Sequence, residues 1–160
     1  MGDVVVRAAG DVDREAVTGV LAGSWGMTTV IAHGVAYDAA TLPALVAERD
    51  GRLVGVLTYT IEGDALEVVT IDAVVPRAGV GTALLDAVTG VAREAGAHRV
   101  WLVTTNDNLD ALRFYQRRGM RIASVSPGAV DAARKVKPSI PPVGSYGIAM
   151  RDELILELRL

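Results

Sequence analysis

Residues 74–85 read VVPRAGVGTALL. A β-branched run, 65–75 (ALEVVTIDAVV), ends in this stretch. From Gly81 onward Leu84, Leu85, Ala87, Val88, Val91 and Ala92 fall at helical spacing. Gly79 and Gly81 put bare backbone at the junction. The first amides of a helix have no carbonyl partner inside it. The helix dipole adds partial positive charge there, and glycine lets an anion approach without a Cβ in the way. Amides from Ala78 to Thr82 are therefore candidate phosphate donors. A P-loop is excluded, because Gly81-Thr82-Ala83 stands where Gly-Lys-Ser/Thr is needed. A dinucleotide fingerprint is also excluded. Leu84 holds the third glycine place, and 99–103 (RVWLV) lacks the acid expected about 20 residues on. Two readings remain: the pyrophosphate of an acyl-CoA, or a tight turn with no ligand.

The chain has 160 residues, 51% hydrophobic and 22% charged, with net charge −3. That composition suits a soluble globular protein, and one domain over 1–160 is expected. No basic block points to nucleic acid. No apolar run is long enough to span a membrane, and no signal peptide is expected, since Val4–Val6 is only strand-sized. Cysteine is absent, so thiol chemistry is excluded and a reducing, cytoplasmic setting is expected. His33 and His98 are isolated, and no metal-ligand spacing exists.

Working outward, residues 4–7 read as a strand, and Asp11 or Asp13 caps a helix running to Leu21. Residues 24–42 are expected as a short helix or loop. Residues 45–60 read as two strands joined at Asp50-Gly51, a hairpin signal. With 65–75 they make three consecutive antiparallel strands. A helix from Gly81 closes at Gly96, and 98–105 is a strand. Asn108 caps a helix over 109–118 that stops at Gly119. Residues 120–126 are a strand, 128–136 a helix, 137–148 neither, and 153–160 an alternating strand.

The segment NLDALRFYQRRGM, 108–120, is the more specific signal. Asn108, Ala111 and Tyr115 share one helical face, with Gly119 closing the helix. Together with the 76–81 turn and the order of elements, this segment resembles the GNAT superfamily of acyl-CoA-dependent N-acyltransferases. The resemblance covers nearly the whole chain. It implies a mixed α/β (α+β) fold whose mostly antiparallel sheet has six or seven strands, flanked by helices, with the fourth and fifth strands splayed, often through a bulge in the fourth, so that the pantetheine arm enters the gap. Acetyl-CoA is then the co-substrate, with no metal. Val74 and Val75 would offer backbone groups to the pantetheine arm. Ala78, Gly79, Val80, Gly81 and Thr82 would cradle the pyrophosphate. Pro76 stands where the family has Gln or Arg, and Arg77, one place on, could substitute as a phosphate partner. Asn108 would bond the pantetheine or an ordered water, and Tyr115 would protonate the departing thiolate.

Amine attack on a thioester needs those residue types. A primary amine has a pKa of about 10 and is mostly protonated at neutral pH, so a base must take its proton. Glu67 and Asp72 are the two candidates, with an ordered water as the alternative. Five residues apart, they point to opposite faces of a regular strand. The leading expectation is acetyl transfer to a small-molecule amine by direct attack in a ternary complex, with a homodimer as the candidate assembly. A protein N-acetyltransferase and a non-catalytic acyl-CoA-binding module are the alternatives.

Overall fold

The apolar and β-branched runs of residues 44–73 produce three strands in the computed structural model, which describes residues 2–75 and 78–160. Strand β1 (Val5–Ala8) leads to helix α1 (Arg14–Trp25). Strands β4 (Ala44–Arg49), β5 (Arg52–Glu62) and β6 (Ala65–Ala73) then run antiparallel in sequence, with β1 paired to β4. Asp50 and Gly51, at φ 51° and 75°, make the two-residue turn between β4 and β5. Helix α2 (Val80–Glu94), strand β7 (Arg99–Thr105), helix α3 (Leu109–Arg117), strand β8 (Arg121–Ser126), helix α4 (Ala129–Val136) and strand β9 (Glu153–Arg159) follow. Seven of the strands make one mostly antiparallel sheet, flanked by the four helices.

Residues 24–42 hold a short 3-10 helix, Ala39–Thr41, as the expectation of a short helix or loop allowed, but also strands it did not include. They hold a separate two-stranded hairpin, β2 (Thr29–Ala32) and β3 (Val35–Asp38). Each strand has four residues, too few for alternation to stand out from noise.

The chain packs as two compact units. One comprises residues up to Val30, Asp38–Val100 and Leu160; the other comprises Ile31–Tyr37 and Trp101–Arg159. In the first unit α2 lies on β5 and β6. Gly55 makes this possible: a Cβ there would strike Val80 Cγ1 and come within 3.1 Å of Leu84 Cδ1. Leu57, Leu66, Leu84 and Val88 are completely buried, each stabilising the unit by about 1.5–3 kcal/mol relative to exposure. In the second unit Leu156 of β9, Val130 of α4 and Met120 are buried. The apolar face of α4 explains its formation: Val130 and Ala133 are buried at i, i+3.

Candidate active site

The first unit holds the glycine turn. Gly79 is the N-cap of α2 at φ 76°, ψ 11°, a left-handed conformation that favours glycine. A Cβ there would meet nothing within 4 Å, so the backbone angle and not crowding selects it. Gly79 itself brings no side-chain cap bond, and among the described residues the Ala83 amide donates to the Gly79 carbonyl at 3.0 Å. The amides of Val80 and Gly81 precede that bond and point out of the helix end. Thr82 follows in the same turn. One residue before Gly79, the Ala78 carbonyl accepts from Arg49 Nη2 at 3.0 Å. Arg49 Nε beside it is buried and has no hydrogen-bond partner among the described residues. Sequence reading gave no reason to single out Arg49, because its contact lies 29 residues away. Val74 and Val75 are exposed, but the Val74 amide already donates to the Val54 carbonyl at 2.8 Å. Arg77, expected to touch phosphate, lies with Pro76 outside the described residues.

The two candidate bases are arranged differently from the regular-strand expectation. Thr58 pairs with Thr70, and Tyr59 pairs with Val68, so Val69 is an extra residue in β6. This bulge shifts the parity of everything after it. Glu67 pairs with Thr60 and Asp72 with Val56, four residues apart on β5. Cross-strand partners point the same way, so Glu67, Thr70 and Asp72 share one face. The Thr58 and Thr70 hydroxyls on that face share a hydrogen bond of 2.6 Å. Gly55, one residue out of phase with Val56, faces α2, so the acidic face is the opposite one. The C-terminal end of α1 meets it: Trp25 Nε1 donates to Asp72 Oδ2 at 3.1 Å. Burial pushes the Asp72 carboxyl above its ordinary value, while the bonds from Trp25 and Ser24 pull it back in part. Glu67 is buried at 4% exposure.

The second unit holds the α3 motif. Asn108 caps α3 as expected: its Oδ1 accepts from the Ala111 amide at 3.4 Å, and its Nδ2 donates to Thr104 Oγ1 at 3.3 Å. Tyr115 is buried at 7% exposure, its ring edge-on to Phe114 at 5.4 Å. The residues just before α3 fasten the 141–152 segment, to which the sequence assigned no chemistry. Asn106 Oδ1 accepts from the Arg151 and Asp152 amides, both at 3.0 Å, and its Nδ2 donates to the Ala149 carbonyl at 2.9 Å. The buried Asp107 carboxylate accepts from Thr105 Oγ1 at 2.5 Å and from the Ser145 amide at 2.9 Å. Arg134 donates to the carbonyls of Ile140, Pro141 and Met150.

His33, which the sequence presents as isolated, sits in a group. Its amide donates to Glu153 Oε1 at 3.1 Å, its Nε2 lies 3.0 Å from the Tyr37 hydroxyl, and its ring lies 5.0 Å from Trp101. Among the described residues no three His, Cys, Asp or Glu side chains gather as a metal site, and no helix is long and apolar enough to cross a membrane.

The β6 bulge and the glycine turn that opens α2 lie within the part of the chain that matches a known family. The profile of the Acetyltransferase (GNAT) family matches residues 21–120. The chain belongs to the GNAT acetyltransferase family. It is 35% identical over 153 residues to the uncharacterized protein YdhI of Bacillus subtilis (strain 168), covering 95% of this chain and 96% of that one. Its fold is similar to that of an IAA acetyltransferase from Bacillus cereus ATCC 14579, with TM-score 0.76, 22% identity and coverage of 99% and 100%. It is also similar to a GNAT family acetyltransferase from Elizabethkingia anophelis with acetyl-CoA bound, with TM-score 0.71, 16% identity and 99% of each chain covered.

Proposed function

We propose that the protein moves the acetyl group of acetyl-CoA onto the primary amine of a small molecule, by direct attack in a ternary complex within one domain over 1–160. The observation that carries this reading is the start of α2 at the left-handed Gly79, braced from behind by Arg49. Backbone amides aimed outward with the helix dipole behind them suit a diphosphate. Family membership and a structural relative with acetyl-CoA bound support acetyl-CoA as its owner.

The amine nitrogen attacks the thioester carbonyl carbon, the carbon–sulfur bond breaks, and the amine gives up a proton. Asp72 receives that proton; its raised pKa brings it closer to the working pH than an ordinary carboxylate. Glu67, on the same face, is the second carboxylate of this side. Tyr115 supplies a proton to the departing thiolate. Ala78 to Thr82 hold the diphosphate with Arg77 as a further phosphate partner, Val74 and Val75 line the pantetheine path, and Asn108 bonds the pantetheine or a water. The chain lacks cysteine, so no acyl-cysteine intermediate forms. The reading includes a cytoplasmic location, a possible homodimer, and no nucleic-acid or membrane partner.

Two measurements test it. Calorimetry reads acetyl-CoA binding, and thiol release is followed over putrescine, kanamycin and a lysyl peptide. Binding with turnover of an amine is the expected result. Binding without turnover on a wider amine panel would make the protein an acyl-CoA-binding module, and no binding would remove the reading. Tyr115→Phe is expected to lower kcat by about a hundredfold with acetyl-CoA affinity unchanged.

A further inference from the structure

Helix α1 ends at Trp25, because Gly26 follows in a left-handed conformation at φ 76°, ψ −20°. Trp25 is 38% exposed, yet its N–H is committed: Nε1 donates to Asp72 Oδ2 at 3.1 Å. Ser24, one residue earlier, bonds the same carboxylate. Asp72 itself lies close to the glycine turn. A Cβ on Gly55 would strike Val80 Cγ1 and come within 3.1 Å of the Asp72 carbonyl, so the Asp72 backbone runs beside the first turn of α2. All of these residues belong to one compact unit.

The last turn of a helix carries partial negative charge, which disfavours a carboxylate beside it. The end of α1 offsets this with donors. Among the described residues, the side-chain bonds that the Asp72 carboxylate accepts come from two neutral groups, the indole and the Ser24 hydroxyl. The charged groups of the surrounding elements stand elsewhere. Glu67 shares the face of β6, with the Thr58–Thr70 hydroxyl pair also on that face. Arg52 and Glu62 are the two ends of β5, while Val56 stands opposite Asp72. Arg14 and Glu15 open α1 at its far end. The His98 amide donates to the Asp64 carbonyl, so Arg99, the charged residue of β7, lies at the other end of β6 from Asp72. Asp86, Arg93 and Glu94 belong to α2, on the opposite face.

We infer that Trp25 is a positioning residue for the amine-side base: its indole N–H holds the Asp72 carboxylate ionised and in one orientation, ready to take the amine proton. This rests on the acetyltransferase reading above, with Asp72 as its base. A hydrogen bond donated to the charged form of a group favours that form. A neutral donor does so without adding a cation that would repel an incoming ammonium.

The test uses the full chain and whichever of putrescine, kanamycin and the lysyl peptide turns over fastest. Trp25→Phe keeps an aromatic ring and removes the N–H. Dividing its kcat/KM by that of the wild type at each pH cancels the amine's own titration. The ratio is expected to be about one-tenth on the acid limb and to recover toward wild type at the plateau, with acetyl-CoA affinity unchanged. A lost packing contact would lower the ratio equally at every pH, so a ratio that does not vary with pH overturns the inference. The chain has two tryptophans. By NMR, one indole N–H signal of the wild type is expected to move as pH crosses the acid limb and to stand still in Asp72→Asn. If neither signal does so, the inference falls, whether or not Trp25→Phe folds. An Asp72→Asn to wild-type ratio that does not rise toward acid pH overturns Asp72 as the base, and no turnover by the wild type overturns the acetyltransferase reading. Either result is distinguishable from a failure of Trp25 alone.

Discussion

Gly55→Ala tests the packing that sets the start of α2. The added methyl would strike Val80 Cγ1, and it would lie 3.1 Å from both Leu84 Cδ1 and the Asp72 carbonyl. Val80 is 1% exposed and β-branched, and Leu84 is fully buried, so neither side chain can swing into solvent. The helix start must shift instead. Overpacking of this kind costs about 1–3 kcal/mol. For a chain of this size each kcal/mol lowers Tm by about 2–4 °C, so a drop of about 2–12 °C is expected. Val80 follows Gly79 directly, so the shift also displaces the amides of the turn, and acetyl-CoA should bind more weakly by calorimetry. Gly90→Ala is the control. Gly90 lies inside α2, and a Cβ there would meet nothing within 4 Å. Its replacement should stabilise by about 0.5–1 kcal/mol. A Gly55→Ala protein with wild-type Tm and wild-type acetyl-CoA affinity would refute the reasoning that α2 is seated against this glycine.

Arg49→Ala removes the brace on the Ala78 carbonyl and should raise the acetyl-CoA Kd by about tenfold while leaving the amine KM unchanged; titration calorimetry and initial rates separate the two. Asp72→Asn should lower kcat/KM by about 10²–10⁴. In the wild type the rate should fall as pH drops through the raised Asp72 pKa, because the base must be ionised, and the variant should lose that acid limb; a larger loss in Glu67→Gln would transfer the base role to Glu67. Asp13 accepts from Arg7 and from the Gly10 amide, which hold its carboxyl down at about 2. A depressed folded pKa contributes stability that is present above the unfolded value of about 3.9 and lost as pH falls toward 2, so melts from pH 6 to 2 should steepen in that window, and Asp13→Asn should flatten them.

Most of the element order was legible because the long segments carry strong local signals. Strands β5 and β6 are long runs rich in apolar and β-branched residues, α2 keeps a helical apolar stripe, and Asp50-Gly51 and Asn108 are local turn and cap chemistry. The hairpin β2–β3 was not legible. Each of its strands has four residues, and its turn carries His33 where Asn or Asp would have signalled it. The glycine turn was readable for the same local reason, since Gly79 needs a left-handed angle. Arg49 and the Asn106–Asp107 fastening were not. Their partners lie 29 to 46 residues away, and one sequence does not encode distance in space. The facing of Glu67 and Asp72 failed on a single residue: counting by twos is right for a regular strand, and although the family resemblance implied a bulge in this strand, no local signal put the extra place at Val69.

That extra place acts on β6 as a frameshift acts on a reading frame. Upstream of it even and odd positions keep one meaning; downstream they exchange it. A relative with one residue fewer here would turn a valine-like position toward α1 and send its acid into the helix-covered side, even if every neighbouring letter matched. Inferring shared amine-side chemistry from aligned acids therefore requires that the insertion at 69 be matched first.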